Sequence, residues 1–280
     1  LARNIMIQGT SSSAGKSIVT TSLCRIYANR GISVSPFKSQ NMTRNKVKLE
    51  DGSYIAGSQV VQAESAKAKP EYSMNPVLLV PKTDTGSTLI LKGAEYRDYE
   101  ARRYYSEKSE FKSAVEECYR DLESRYDLLV IEGAGSPAEI NLRENDYVNM
   151  GLAHMVDAPV ILVGDIERGG VFASIYGTAM ILDESDRARI KAFVINKFRG
   201  DVDILRPGIE ELENRLGIPC LGVLPYTEIN LEEEDSLISG TAGERIDDDE
   251  LRDAEYEKLA CFVEKHLDME ALDRIIEGKE

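Results

Sequence analysis

Two residue types that build metal centres are scarce in this sequence of 280 residues: it has two histidines and four cysteines. Cys24, Cys118, Cys220 and Cys261 are widely spaced, and none forms a C-x-x-C pair. With only His154 and His266 beside them, nothing indicates a structural zinc site. Scattered thiols of this kind suit a reducing compartment, so the expected location is cytoplasmic. Long apolar runs are also missing. Stretches such as "APVILVG" fall far short of a bilayer span, and no basic-then-apolar leader opens the sequence. It starts at Leu1, as a trimmed chain would. Positive charge is in deficit: 34 Lys and Arg against 49 Asp and Glu, a net charge of −15. A general binder of nucleic acid or of anionic membranes would carry a basic face, so neither partner is expected. The acid is partly local, in "EEED" at 232–235 and "DDDE" at 247–250. Both runs read as a solvated linker and tail. Internal repeats and low-complexity tracts are absent.

What is present suits a globular α/β protein. The length allows one large domain or two small ones. Short apolar runs recur, each followed by a turn or a helical pattern. "NIMIQG" (4–9) reads as a first strand and "SIVTTSLCRIYANRG" (17–31) as the helix after it. "ISVSPFK" (32–38), "YDLLVIEG" (126–133), "APVILVGD" (158–165), "IKAFVINKF" (190–198) and "PCLGVLP" (219–225) read as further strands. Continuous β-rich runs separated by helix-length segments predict a doubly wound, mainly parallel sheet with helices on both faces. Ligands in such folds sit at the carboxyl ends of the strands. Residues 39–112 are polar and weakly periodic and read as helices with a hairpin-like excursion at 78–93. The domain is expected to occupy 1–240. Residues 241–280 read as an acidic linker and C-terminal helices, either the end of the domain or a docking segment. In that tail Leu251, Ala254, Leu259, Phe262 and Val263 are expected on one face.

The segment "IQGTSSSAGKS" (7–17) ends as a phosphate-binding loop ends. The common pattern G-x-x-x-x-G-K-[ST] places four residues between its glycines. Here five separate Gly9 from Gly15, and Thr10 stands where the first glycine belongs. A phosphate loop works by aiming backbone N–H groups and the positive end of a helix at an anion. Lys16 supplies a point charge for the phosphates, and the Ser17 hydroxyl suits Mg²⁺. The segment lies between a strand and a helix, the context that this chemistry needs. The spacing therefore predicts a slightly wider nucleotide loop, with Gly9, Thr10, Ser13, Ala14, Gly15, Lys16 and Ser17 at the nucleotide. A serine-rich turn that binds nothing is the competing reading.

Three strand ends support nucleotide chemistry. "LLVIEGAGSPAEIN" (128–141) puts Glu132 directly after a buried strand, where a second contact to a metal ion is needed. Asn196 in "VINKFRGD" (194–201) follows another strand, and its side-chain amide could read a purine. Lys38 in "PFKSQNM" (36–42) leaves the second strand toward the same edge. There a cation could hold a substrate carboxylate or stabilise phosphate in transfer.

These segments, with "QVVQAE", "MNPVLLVPKTDTGS", "VINKFRGDVDILRPG" and the long block from Glu132 to Ser174, together resemble the cobyric acid synthase family. The resemblance covers about 3–240. It implies the dethiobiotin-synthetase-like fold, a P-loop NTPase-like architecture, in which the G-T-x-x-x-x-G-K-S loop is an intact variant. It also implies ATP- and Mg²⁺-dependent amidation of carboxylates b, d, e and g of adenosylcobyrinic acid a,c-diamide in cobalamin synthesis, through acyl phosphates. Lys16, Lys38 and Glu132 would be catalytic. Ser17 and Glu132 would hold the metal, with Glu64 a further candidate. Lys38, Gln40, Asn41 and Asp84 would face the substrate. Members of the family continue into a glutaminase domain. This sequence reaches Glu280 without one: Cys220 in "IPCLGV" has the wrong flanks for its nucleophile, and His266 falls on an amphipathic helix. Ammonia is therefore expected from a glutaminase outside this sequence or from solution. A homodimer is compatible with the reading. The rivals are a ligase of the same fold acting on another carboxylate, a partitioning-type ATPase switch, and an inactive binding subunit. The loop has no lysine at its start, which weakens the switch. The presence of Lys16, Ser17 and Glu132 weakens the inactive subunit.

Overall fold

The computed structural model describes residues 2–83, 86–100, 103–104, 107–227 and 248–279. The elements run in the order β1 (Arg3–Gly9), α1 (Lys16–Asn29), β2 (Val34–Phe37), β3 (Gln40–Met42), β4 (Lys46–Lys48), β5 (Tyr54–Ala56), α2 (Gly57–Ser65), β6 (Val77–Pro81), β7 (Gly86–Leu91) and β8 (Ala94–Glu100). There follow α3 (Lys112–Arg125), β9 (Leu128–Glu132), α4 (Met150–Met155), β10 (Val160–Asp165), α5 (Val171–Ile181), α6 (Glu184–Arg187), β11 (Ile190–Phe198), α7 (Val202–Leu216) and β12 (Cys220–Pro225). Then come α8 (Asp249–His266) and α9 (Met269–Ile276).

Six strands form one sheet in the order β12-β11-β10-β1-β9-β2, with every pairing parallel. These are the six runs expected from the sequence. Their side chains alternate between two cores, as the two-residue period of a strand requires. Met6, Leu129, Ile131, Leu162, Phe193 and Ile195 face one core, which Tyr119 and Leu122 of α3, Leu152 of α4, Ile175 of α5 and Leu212 of α7 complete. Ile5, Ile7, Leu128, Val130, Ile161, Val163 and Val194 face the other, against Val19, Leu23 and Ile26 of α1. Burying each such side chain is worth about 1.5–3 kcal/mol. Both faces must be covered, which is why the strands read as mostly apolar runs.

The C-terminal helices help cover the second face. Leu259, Ala260 and Val263 of α8 and Leu272, Ile275 and Ile276 of α9 join the core around Leu128 and Val130. The face expected for this tail needs correction at its start. Leu251 is 60% exposed and Ala254 is exposed, while Tyr256 is buried in their place. The first turn of α8 overhangs the core; an Asp248 side chain that accepts from Glu250 N and Leu251 N caps it.

The polar excursion folds as a second, four-stranded sheet, β3-β6-β7-β8. The expected hairpin is the antiparallel β6–β7 pair, which β8 extends on one side. On the other side β3 joins β6 in parallel, Gln40 opposite Val77. This sheet stands next to the carboxyl end of β2, so it walls the edge where the main sheet presents its loops. Among the described residues no helix is long and apolar enough to cross a membrane.

Candidate active site

The loop from Gly9 to Ser17 crosses the carboxyl end of β1. It bends sharply enough that only hydrogen fits at its two glycines. A Cβ on Gly9 would meet Ser11 O at 2.9 Å and Lys16 Cγ at 3.0 Å. Gly15 has φ of 101°, and a Cβ there would lie 1.9 Å from Asn196 Nδ2. The five-residue spacing is thus a closed loop anchored by both glycines. Side chains hold it from outside. Lys197 Nζ donates to Ser13 O at 2.8 Å and to Asp165 at 3.1 Å, and Asn196 Nδ2 donates to Ala14 O at 3.0 Å. Thr10 N donates to Val163 O at 2.9 Å, tying the loop to β10. Lys16 turns back over its own loop. Its Nζ donates to Ser11 O and Ser12 O at 2.9 Å and to Gly135 O at 3.1 Å. Three carbonyls orient this ammonium over the loop, and its charge also acts on Glu132.

Glu132, fully buried at the end of β9, is the hub of the site. Its Oε1 accepts from Ser17 Oγ at 2.8 Å and from Lys38 Nζ at 3.0 Å. Its Oε2 accepts from Gln62 Nε2 at 2.5 Å, and Gln59 Nε2 donates to Gln62 Oε1 at 3.1 Å behind it. Burial alone would raise the carboxyl's pKa. Lys38, then Lys16, with the hydrogen bonds from Lys38 and Ser17, outweigh that and hold it below the usual carboxylate range. These partners favour the carboxylate form of Glu132 although it is fully buried. The parallel sheet explains the meeting. β2 and β9 are neighbours with Phe37 opposite Ile131, so the residues that follow, Lys38 and Glu132, leave side by side. β1 flanks β9 on the other side and delivers the loop.

The Ser17 hydroxyl and the Glu132 carboxylate are hard oxygen donors 2.8 Å apart. That pair suits Mg²⁺, which takes one or two protein oxygens and keeps the rest of its shell for phosphate and water. Among the described residues no group of three or more His, Cys, Asp or Glu could hold a metal ion.

A cavity of about 330 Å³ adjoins the loop, bounded by Ser12, Gly135, Gln40, Met42, Lys108 and Asp146 among others. Two of its lining residues, Ser12 and Gly135, also supply carbonyls to Lys16. A larger one, about 760 Å³, is lined by Arg3, Asn4 and Pro159. These residues lie where β1 and β10 begin, so that cavity is at the wrong end of the sheet for strand-end chemistry.

The structure thus brings together Gly9, Thr10, Ser13, Ala14, Gly15, Lys16, Ser17, Lys38 and Glu132, with Asn196 behind the loop and Gln40 at its side. Other expectations need correction. Glu64 does not reach Glu132: its Oε2 accepts from Tyr256 Oη and from Arg252 Nε, both at 2.9 Å, on the far side of α2. Asn41 is buried, with Nδ2 on Ser58 Oγ at 3.0 Å. Along β3 its neighbours Gln40 and Met42 line the cavity and Asn41 faces the opposite way. Asn196 engages both ends of its amide with backbone, since Oδ1 accepts from Lys197 N at 2.8 Å. It fastens the loop in this structure rather than presenting an open amide. Asp84 lies outside the described residues. Sequence reasoning missed Gln62, Lys197 and Lys108. Gln62 sits in the quoted "QVVQAE" and Lys197 directly follows Asn196, so both lay beside residues already chosen. The Cys220 thiol, on β12, is pushed up to about 11 by burial, unlike a nucleophile.

A parallel sheet carrying a Gly-Lys-Ser loop between its central strand and the next helix, with an ionised carboxylate at the neighbouring strand end, defines a P-loop nucleotide-binding α/β domain. Residues 5–238 match the family described as CobQ/CobB/MinD/ParA nucleotide binding domain, and the chain belongs to that family. The cobyric acid synthase of Clostridium acetobutylicum is 56% identical over 234 residues, covering 84% of this chain and 48% of that protein. The cobyric acid synthase of Alkaliphilus metalliredigens is 53% identical over 232 residues, covering 83% of this chain and 46% of that protein. The chain therefore spans about half the length of the curated relatives it matches. Among solved structures, the cell division ATPase MinD of Pyrococcus furiosus superposes with a TM-score of 0.46 at 17% identity, covering 95% of this chain and 99% of that one.

Proposed function

We propose that this chain is the ATP-dependent amide-ligase part of a cobyric acid synthase. It would amidate side-chain carboxylates b, d, e and g of adenosylcobyrinic acid a,c-diamide in cobalamin biosynthesis. The observation that carries the reading is the identity of 53–56% to proteins of that name, across 84% of this chain. The geometry supports it: an anion-binding loop, an ionised carboxylate and two buried lysines converge at one sheet edge. We take 1–240 as the ligase domain and the C-terminal helices as its end.

The chemistry needs such a site. A carboxylate resists attack by ammonia because oxide is a hopeless leaving group. In the first step a carboxylate oxygen bonds to the γ-phosphorus of ATP, and the bond from that phosphorus to the bridging oxygen breaks, releasing ADP. In the second step ammonia bonds to the acyl carbon, inorganic phosphate departs with the C–O electron pair, and the nitrogen loses a proton. Lys16 offsets charge on the phosphoryl group in transfer. Lys38, at the edge of the same cluster, orients the attacking carboxylate. Ser17 and Glu132 would hold Mg²⁺, which when bound would offset charge on the phosphate oxygens. Ammonia comes from a glutaminase domain or subunit, or from solution.

The test is ADP release by the purified chain with Mg-ATP, ammonium and cobyrinic acid a,c-diamide, followed by mass spectrometry of the corrinoid. The expected result is corrinoid-dependent ADP release with a mass change of one amide per ADP. Lys16→Ala should abolish both. ADP release that ignores the corrinoid would refute the substrate.

A further inference from the structure

The cavity beside the phosphate loop holds a cation that the proposed chemistry does not use. Lys108 opens a short 3-10 turn, Lys108–Phe111, and is only 5% exposed. Among the described residues its ammonium has no hydrogen-bond or ion-pair acceptor, and it rests 4.7 Å from the centroid of the Tyr147 ring. Without a protein acceptor among those residues, this ammonium is left to solvent or to a ligand in the cavity that Lys108 lines. The acids around the same cavity are already engaged. Asp146 accepts from the backbone N–H groups of Val148, Asn149 and Gly151. Glu139 accepts from Ser136 N. Asp186 accepts from Arg143 and pairs with His154. Burial pulls the Lys108 ammonium below the usual lysine range, and Asp146 only partly offsets this.

A second donor points to the same kind of ligand. Tyr104 Oη donates to Gln40 Oε1 at 2.5 Å and lies 2.6 Å from Tyr147 Oη. With its oxygen so occupied, Gln40 has its NH₂ group left to give to the cavity. The cavity thus combines one charged and one neutral donor with apolar walls from Met42, Pro137 and Leu142. At about 330 Å³ it is at the low end of ligand pockets. It takes an arm, not a macrocycle. Lys38 does not line it.

We infer that Lys108, helped by the Gln40 amide, binds a second, non-reacting carboxylate at the end of a short aliphatic arm of the substrate. This deepens the proposed function and rests on it. Lys108 is then a specificity-determining residue that favours a multiply anionic substrate and fixes which arm is presented to Lys38.

The test is an absorbance titration of the wild-type chain, Lys108→Met and Lys108→Arg with two corrinoids: cobyrinic acid a,c-diamide and a fully amidated analogue. A charged hydrogen bond is worth about 1.5–3 kcal/mol, so Lys108→Met should weaken binding of the acid form about 10- to 100-fold. Binding of the amidated form should stay within a few-fold of wild type. Lys108→Arg, which keeps the charge, should recover most of the affinity, and the ATP affinity of both variants should be unchanged. Wild-type-like binding of the acid form by Lys108→Met overturns the inference and leaves the proposed function standing. Equal losses for both corrinoids would mark a purely structural role and also overturn it. A wild-type chain that binds neither corrinoid sinks the proposed function, and this inference with it.

Discussion

The buried Lys38–Glu132 pair offers a sharp thermodynamic test of the site. Lys38 has a side chain only 2% exposed and Glu132 one that is fully buried, and they meet at 3.0 Å. Removing one partner of such a pair strands the other charge away from water and costs about 3–5 kcal/mol. Glu132→Gln keeps the shape and an acceptor oxygen, so about 3 kcal/mol is expected. Lys38→Met leaves Glu132 with Ser17 and Gln62 and should cost a similar amount. In the double variant no charge is stranded, so the loss should fall short of the sum by about 2 kcal/mol, within the range seen for residues in contact. The assay is urea unfolding of the four proteins, followed by circular dichroism without nucleotide. Equal m-values are required for the comparison. In melting temperature the single variants should fall by roughly 6–12 °C, at about 2–4 °C per kcal/mol for a domain near this size. Additivity within about 0.5 kcal/mol would refute the pairing.

Other outcomes follow from the same geometry. Glu132 has a folded pKa below its ordinary value, so it contributes stability that is present above that value and lost as pH falls through the depressed one. The acid limb of the stability–pH profile should therefore be shallower in Glu132→Gln, and superimposable limbs would contradict the assignment. Gly15→Ala places a methyl 1.9 Å from the Asn196 amide at φ of 101°, so ATP affinity measured by calorimetry should drop tenfold or more. Unchanged affinity would mean the loop is not closed as described. Val263→Asp puts a carboxylate in the core under α8, where Val263 is fully buried. A loss of about 4 kcal/mol or frank aggregation is expected, and near-wild-type stability would show that α8 does not cover the sheet.

The main sheet was legible because burial on both faces leaves its strands mostly apolar, with few polar residues such as Gln8 and Ser35 inside them. The core of the site was legible for a related reason. Parallel neighbours in register end together, so the residues that follow the paired Phe37 and Ile131, Lys38 and Glu132, must meet. The misses have local causes. In "QVVQAE" a carboxylate drew attention to Glu64, yet the group that reaches Glu132 is the amide of Gln62. Residues two apart on a helix point about 200° away from each other, so choosing one excludes the other. Asn41 was misplaced by the same logic at period two. The second sheet was half seen, because β3 has only three residues and shows no pattern before it pairs. Lys108 carried no signal: a lysine reads as solvent-exposed until a fold surrounds it.

The two faces of α2 give the C-terminal helix a mechanical connection to the nucleotide site. One face holds Glu132 through Gln62, and the other is gripped through Glu64 by Arg252 and Tyr256 of α8. A continuous run of side-chain contacts thus joins the C-terminal helix to Glu132 through the two faces of one short helix.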